Sequence, residues 1–81
     1  MTYHILIIDN KYGQIITLHR TKDDAFIALY DYVEDEWNED LIKEYGDLHS
    51  LKHDQAIEQY FKWMDQARSP EYYTLEEVVV S

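Results

Sequence analysis

Carboxylates are the side chains whose number and spacing in this chain most strongly suggest a function. Between Asp31 and Asp47 there are eight acidic residues, with Lys43 as the one basic residue in that stretch. The eight are Asp31, Glu34, Asp35, Glu36, Glu39, Asp40, Glu44 and Asp47. On a helix, Asp31, Asp35 and Glu39 would follow one another at intervals of four, which places neighbouring side chains about 5–6 Å apart. A protein that grips DNA phosphates would recognise such a row, so we predict an acidic docking surface. The alternative is a solvated helix face that keeps the protein soluble.

The four histidines are candidates for metal binding, but their spacing is weaker evidence for a function than that of the carboxylates. His49 and His53 are four residues apart, with Asp54 beside them, and zinc sites use such a spacing. The stretch nevertheless lacks the glutamate of the helical metalloprotease motif. His4 and His19 would face each other across a predicted hairpin. We interpret all four as surface, capping or cross-strand residues and predict no metal and no cofactor.

A catalytic site is not indicated by the residue pattern. General acid–base catalysis needs a carboxyl group in a pocket rather than many carboxyl groups, and the acidic residues fall at positions predicted to face solvent. The serines show no nucleophile motif, and two glycines are too few for a glycine-rich phosphate loop. We therefore predict a non-enzymatic protein with no catalytic residues.

The net charge of -10 on 81 residues restricts the classes of partner. Such a charge repels nucleic acid and anionic lipid and attracts basic proteins, so we expect a basic protein partner and no direct nucleic-acid binding. No run approaches the roughly 20 apolar residues of a membrane span, and the N-terminal residues do not form a signal peptide. The absence of cysteine fits a reducing compartment, which favours the cytoplasm. The length predicts one domain over residues 1–81.

The N-terminal residues are predicted to form a β-hairpin, which is the first part of the scaffold that carries the acidic surface. A strand over residues 3–9 is aliphatic on both faces, which is typical of a central strand. A turn over residues 10–13 leads to a second strand over residues 14–19, so facing positions sum to 23. This register places Ile5, Ile7, Ile16 and Leu18 on one face and Leu6, Ile8 and Ile15 on the other.

Two helices and a third strand are predicted to follow. Thr21 is a good N-cap for the first helix, which should end or bend between about Asn38 and Tyr45, with Gly46 as a plausible stop. Asp47 and Ser50 are alternative caps for the second helix. That helix ends at Ser69-Pro70, and the third strand runs over residues 72–80.

The predicted fold is α+β with the order ββααβ. Two antiparallel helices would return the chain to the end where the second strand finishes, so the third strand would run parallel to the first. The result is a three-stranded mixed sheet with strand order 2-1-3, or alternatively 1-2-3. Both helices would cover one face, expected to be that of Ile5, Ile7, Ile16 and Leu18.

The opposite sheet face is then predicted to be bare. It would carry Leu6, Ile8 and Ile15, and a bare apolar face on a small protein usually packs against something. A homodimer formed through this face is the second functional hypothesis, in which the chain is a self-associating structural or accessory protein and its charges only prevent aggregation.

In size and charge, the chain resembles the small acidic inhibitors encoded by phages and mobile elements, namely the anti-restriction and anti-CRISPR proteins that imitate DNA. The residues that carry this resemblance are the acidic set from Asp31 to Asp47, and no motif is shared. The resemblance implies an inhibitor whose carboxylates stand in for phosphates in the nucleic-acid-binding groove of a larger basic protein.

Overall fold

The computed structural model describes residues 1–66 and 70–80 of the chain. The elements in chain order are β1 (Thr2–Asn10), β2 (Gly13–His19), α1 (Lys22–Glu36), α2 (Glu39–Tyr45), a 3-10 helix (Leu48–Ser50), α3 (His53–Gln66) and β3 (Tyr72–Val79). The predicted α+β class is confirmed. Ser69, which was predicted to end a helix, lies outside the described residues.

The sheet has the strand order β2-β1-β3, which confirms the first of the two predicted orders. β1 and β2 form the predicted hairpin, and their facing residues sum to 23 throughout: Ile7 lies opposite Ile16, and His4 lies opposite His19. Gly13 ends the connecting turn with a φ of 125°, a conformation that glycine adopts without steric cost.

The predicted direction of the third strand was wrong. β3 runs antiparallel to β1, with Tyr72 opposite Asp9 and Val79 opposite Thr2, so the sheet is antiparallel throughout rather than mixed. The chain leaves β2 at His19, beside the first residues of β1, and enters β3 beside the last ones. Among the described residues between these points there are three α-helices rather than two, so the return to the starting end that two antiparallel helices would produce does not apply.

The additional helix arises because the predicted first helix ends early and a new one begins. Thr21 caps α1 as predicted, accepting a hydrogen bond of 3.0 Å from the backbone N–H of Asp24. α1 ends at Glu36, and the side chain of Asn38 then caps α2 by accepting from the backbone N–H of Leu41 at 3.1 Å. Gly46, with a φ of 90°, terminates α2.

Neither predicted cap of the last helix holds that position. Asp47 caps the 3-10 helix instead, accepting from the backbone N–H of His49 at 3.1 Å. α3 begins only at His53. Ser50 lies within the 3-10 helix and donates its hydroxyl to the carbonyl of Asp47.

The helices cover the sheet face opposite to the predicted one. Leu6 and Ile8 are each 2% exposed and belong to the core, whereas Ile16 and Leu18 are 62% and 61% exposed. The pattern of β3 gives the physical reason. Leu75 lies opposite Leu6 and packs against the core, so helices on this side cover apolar groups from both β1 and β3, each worth about 1.5–3 kcal/mol when fully buried.

We call the opposite side the open face, defined by Ile5, Ile7, Ile16 and Leu18. On β3 it carries Thr74 and Glu76, which lie opposite Ile7 and Ile5.

Candidate functional site

The eight predicted acidic residues, here called the acidic segment, are all exposed to solvent. α1 carries Asp31, Glu34, Asp35 and Glu36, α2 carries Glu39, Asp40 and Glu44, and Asp47 precedes the 3-10 helix. Because α1 and α2 pack with the helical layer over Leu6 and Ile8, the acidic segment belongs to the layer opposite the open face.

The predicted row of Asp31, Asp35 and Glu39 is not carried by one helix. Asp31 and Asp35 are one turn apart on α1, but Glu39 is the first residue of α2. Trp37 and Asn38 leave the helical conformation between them, each with an extended backbone. The i, i+4 spacing therefore holds for the first pair only, and the continuation of the row to Glu39 was wrong.

Contacts between the ends of α1 and α2 bring acidic residues of different elements close to one another. The indole N–H of Trp37 donates to the carbonyl of Gly46 at 3.2 Å, so the end of α2 lies beside the end of α1. Burial raises the pKa of the Tyr30 phenol, and the negative charges of Glu34, Asp47 and Asp31 raise it further. Asp47 therefore lies close enough to α1 to share an electrostatic field with two of its carboxylates.

The position of the α1 carboxylates is unfavourable for helix stability. Glu34, Asp35 and Glu36 occupy the last turn of α1, which contains no basic residue. The C-terminus of a helix carries a partial negative charge, and each charged group near it changes stability by typically 0.3–1 kcal/mol. By contrast, Asp23 and Asp24 lie in the first turn, where the dipole favours them. Helix stability thus accounts for the acidic residues at the start of α1 but not for those at its end.

Two of the four histidines make side-chain contacts with other residues. His19 shares a hydrogen bond of 2.7 Å between its Nε2 and the hydroxyl of Thr17, and the ring of His53 lies 4.1 Å from that of Tyr30. Within residues 1–66 and 70–80, no three His, Asp or Glu side chains gather in a way that could hold a metal ion. The alternative grouping of His49, His53 and Asp54 is therefore not a preassembled site.

Of the residues predicted for an exposed oligomer face, Leu6 and Ile8 are contradicted by the structure, because they lie in the core beneath the helices. Ile15 is 42% exposed. It lies opposite Ile8 on the outer strand β2, and so on the helix-covered face rather than the bare one.

A buried polar cluster was missed entirely at the level of sequence. Glu71 is only 9% exposed and accepts hydrogen bonds from the hydroxyls of Tyr32 and Tyr60. The side-chain amide of Asn10 donates to the Tyr32 oxygen at 3.3 Å. Burial, followed by the hydrogen bond to Glu71, raises the pKa of both tyrosines. The contact joins α1, α3, the end of β1 and the entry to β3, so its role is to hold the layers together.

A shallow depression lies near the start of α1 and is lined by His4, Lys22, Leu75, Glu76 and Glu77. It reaches neither the acidic segment nor Glu71, and it combines one lysine with two carboxylates. We assign it no role.

The fold and the surface define a two-layer α+β protein with an acidic helical side and a bare antiparallel sheet on the other. Comparisons of the chain with family models, curated proteins and solved structures gave no match. None of the helices within the described ranges has the length and apolar character needed to cross a bilayer.

Proposed function

We propose that this protein is a non-enzymatic binding module that occupies the nucleic-acid-binding groove of a basic protein through its acidic segment. The carboxylates stand in for phosphates, as in DNA-mimic inhibitors of the anti-CRISPR and anti-restriction type. The protein acts in the cytoplasm, where such a partner would meet nucleic acid.

The observation that carries this proposal is the run Glu34, Asp35 and Glu36 at the end of α1. Carboxylates at a helix C-terminus lower stability, and like charges one turn apart, such as Asp31 and Asp35, add a similar small penalty. If solubility were the only requirement, acidic residues could lie at positions where they do not affect helix stability. Their accumulation where they destabilise the helix favours a role in recognition.

The field around Tyr30 supports the same proposal. Negative charges of Glu34 and Asp31 on α1 and of Asp47 act on one phenol, so three carboxylates from two parts of the acidic segment contribute to the potential at the same point. Patches of like charge speed up encounters with oppositely charged surfaces, and the effect weakens as salt screens them.

The test uses two triple variants with equal changes in net charge. In the first, Asp31, Glu34 and Asp35 of α1 are changed to Lys. In the matched control, three exposed acidic residues outside the acidic segment are changed to Lys: Glu58, Asp65 and Glu77. The wild type and the two variants are each used to capture proteins from host-cell lysate at low and at high salt. Circular dichroism verifies that all three proteins are folded.

We expect a basic partner that binds the wild type and the control variant at low salt. The α1 variant should no longer bind this partner. The recovered partner should lose its nucleic acid when wild-type protein is added in a gel-shift experiment. If both triple variants bind the partner equally, the acidic segment is only a solubility device. A partner that keeps its nucleic acid would refute the inhibitor mechanism.

A further inference from the structure

The open face is apolar where a solvated sheet should be polar. Antiparallel sheets with one face in water normally alternate between apolar inward and polar outward residues. Here β1 and β2 are aliphatic on both sides. Ile16 and Leu18 are 62% and 61% exposed, and they lie opposite Ile7 and Ile5 across the hairpin. Four aliphatic side chains therefore form a contiguous patch at the surface.

We propose that the open face is a homodimer interface, in which a second copy packs its own open face against the first to form a β-sandwich. The two sheets would lie about 10 Å apart with Ile16 and Leu18 of each copy in the shared core. This interface does not involve the acidic segment, so it stands independently of the proposed function.

The distribution of charge selects a second copy as the occupant. Among the strand positions paired across this face, Asp9 and Glu76 are the only charged ones. Glu76 lies on the outer strand β3, from which its side chain can reach solvent at the rim. A basic protein finds little to bind here, whereas the helical layer opposite offers it the acidic segment. An apolar, self-complementary patch is what a two-fold interface requires, because both copies use the same surface.

Although each copy has a charge of -10, this arrangement keeps the acidic segments of the two copies apart. The acidic segments lie on the outer layers, separated by more than the ~10 Å between the stacked sheets. That distance exceeds the screening length of about 8 Å at physiological ionic strength. Any pairing through the helical layers would instead bring the acidic segments of the two copies together.

The size of the face sets the expected strength. Three strands spaced about 4.8 Å apart, with a rise of about 3.4 Å per residue, give a footprint of roughly 350 Å². Standard specific interfaces bury about 800 Å² per partner. We therefore expect a weak dimer, whose affinity rises with salt because screening reduces the residual repulsion.

Sedimentation velocity across a series of protein concentrations tests the proposal at low salt and at about 0.5 M NaCl, where screening acts over only a few ångströms. The interface variant carries Ile16→Glu and Leu18→Glu. Val79→Glu is a control for a glutamate placed on the sheet, because Val79 is an aliphatic strand residue that is 73% exposed but lies opposite Thr2, outside the open face. A second interface variant, Ile16→Thr with Leu18→Thr, keeps strand-forming residues and introduces no charge.

The expected result is a wild-type dimer that is strengthened by salt, retained by Val79→Glu, and weakened at least tenfold in both interface variants. A wild type that stays monomeric up to about 1 mM at high salt overturns the proposal, since even weak specific interfaces would be populated there. Equal weakening by Val79→Glu and the interface variants also overturns it. Because binding through the acidic segment weakens with salt and dimerisation strengthens, either idea can fail without the other.

Discussion

The hydroxyl of Tyr60 donates a 2.9 Å hydrogen bond to the carboxylate of Glu71. Tyr60 is 1% exposed and lies on α3, whereas Glu71 immediately precedes β3. The same carboxylate oxygen accepts from Tyr32 of α1. One buried oxygen thus ties two helices to the strand that completes the sheet, and its two donors offset the loss of hydration that burial imposes on a carboxylate.

Removal of one donor should destabilise the fold measurably. Tyr60→Phe leaves the carboxylate of Glu71 with one tyrosine donor, and we expect a loss of about 1–3 kcal/mol in the free energy of unfolding. Urea denaturation followed by circular dichroism gives the value. Tyr12→Phe, at a tyrosine that is 87% exposed, serves as the control and should leave the midpoint unchanged. A neutral result for Tyr60→Phe would mean that the hydrogen bond adds nothing to stability.

The same tyrosines predict a loss of stability in alkali. The pKa values of Tyr30, Tyr32 and Tyr60 are raised in the folded protein, mainly by burial. A raised folded-state pKa leaves the contribution of the group intact below the unfolded value of about 10 and removes it progressively above that pH. Thermal unfolding should therefore be insensitive to these groups at neutral pH, with a fall in Tm beginning near pH 10.

The control for the alkaline effect is a double variant, Tyr32→Phe with Tyr60→Phe. It should be less stable at pH 7 and should show a shallower fall in Tm above about pH 10, since two raised phenols no longer ionise on unfolding. If its slope in alkali equals that of the wild type, these tyrosines do not govern the alkaline transition.

The hairpin could be predicted from the sequence because its information is local. The turn length and the alternation of β1 and β2 determined which residues face each other, down to His4 opposite His19. The side covered by helices was not determined in this way, since Leu6 and Ile8 are as apolar as Ile5 and Ile7. Leu75 supplied the missing information, but only through a long-range register that the pattern of β3 does not reveal by itself.

In the helical layer and the candidate site, too, local features could be predicted from the sequence, whereas features that depend on long-range contacts could not. The exposure of the acidic segment follows from residue type, and Thr21 acts as the predicted cap. The break at Asn38 lies at the start of the range in which the first helix was predicted to end or bend, and two acidic residues follow this cap as in α1. The separate helix that begins there was not predicted. Glu71 could not have been predicted as buried, because its donor Tyr32 is 39 positions away in the chain.

The assignment of the two sheet faces can be tested by truncation. Leu6→Ala should cost about 2–5 kcal/mol, because it leaves a cavity beneath the helices. Ile16→Ala, at a residue that is 62% exposed, should cost much less in a dilute, monomeric sample. Chemical denaturation of both variants at low concentration compares them directly. Equal costs would show that the helices do not distinguish the faces.

The break between α1 and α2 is also open to measurement. Asn38→Ala removes the side-chain acceptor for the backbone N–H of Leu41 and should cost about 1 kcal/mol, the usual effect of losing an N-cap. Asn38→Asp preserves an acceptor at the cap and should restore stability. An Asn38→Ala variant as stable as the wild type would indicate that the side-chain cap does not stabilise α2.

The carboxylates at the end of α1 should show opposite effects on stability and on binding. Glu36→Lys places a positive charge at the negative end of the helix dipole and should raise the free energy of unfolding by about 0.3–1 kcal/mol. If the acidic segment recognises a basic groove, the same change should weaken capture of the partner and reduce the sensitivity of that capture to salt.

Asp23→Lys is the matched reversal at the start of α1, where the dipole favours a carboxylate, and it should lower stability. Circular dichroism melts and titration of the recovered partner measure both quantities on the same samples. Stabilisation by Glu36→Lys with unchanged binding would leave the position of these residues without a functional explanation, because they would then lower stability while contributing nothing to recognition.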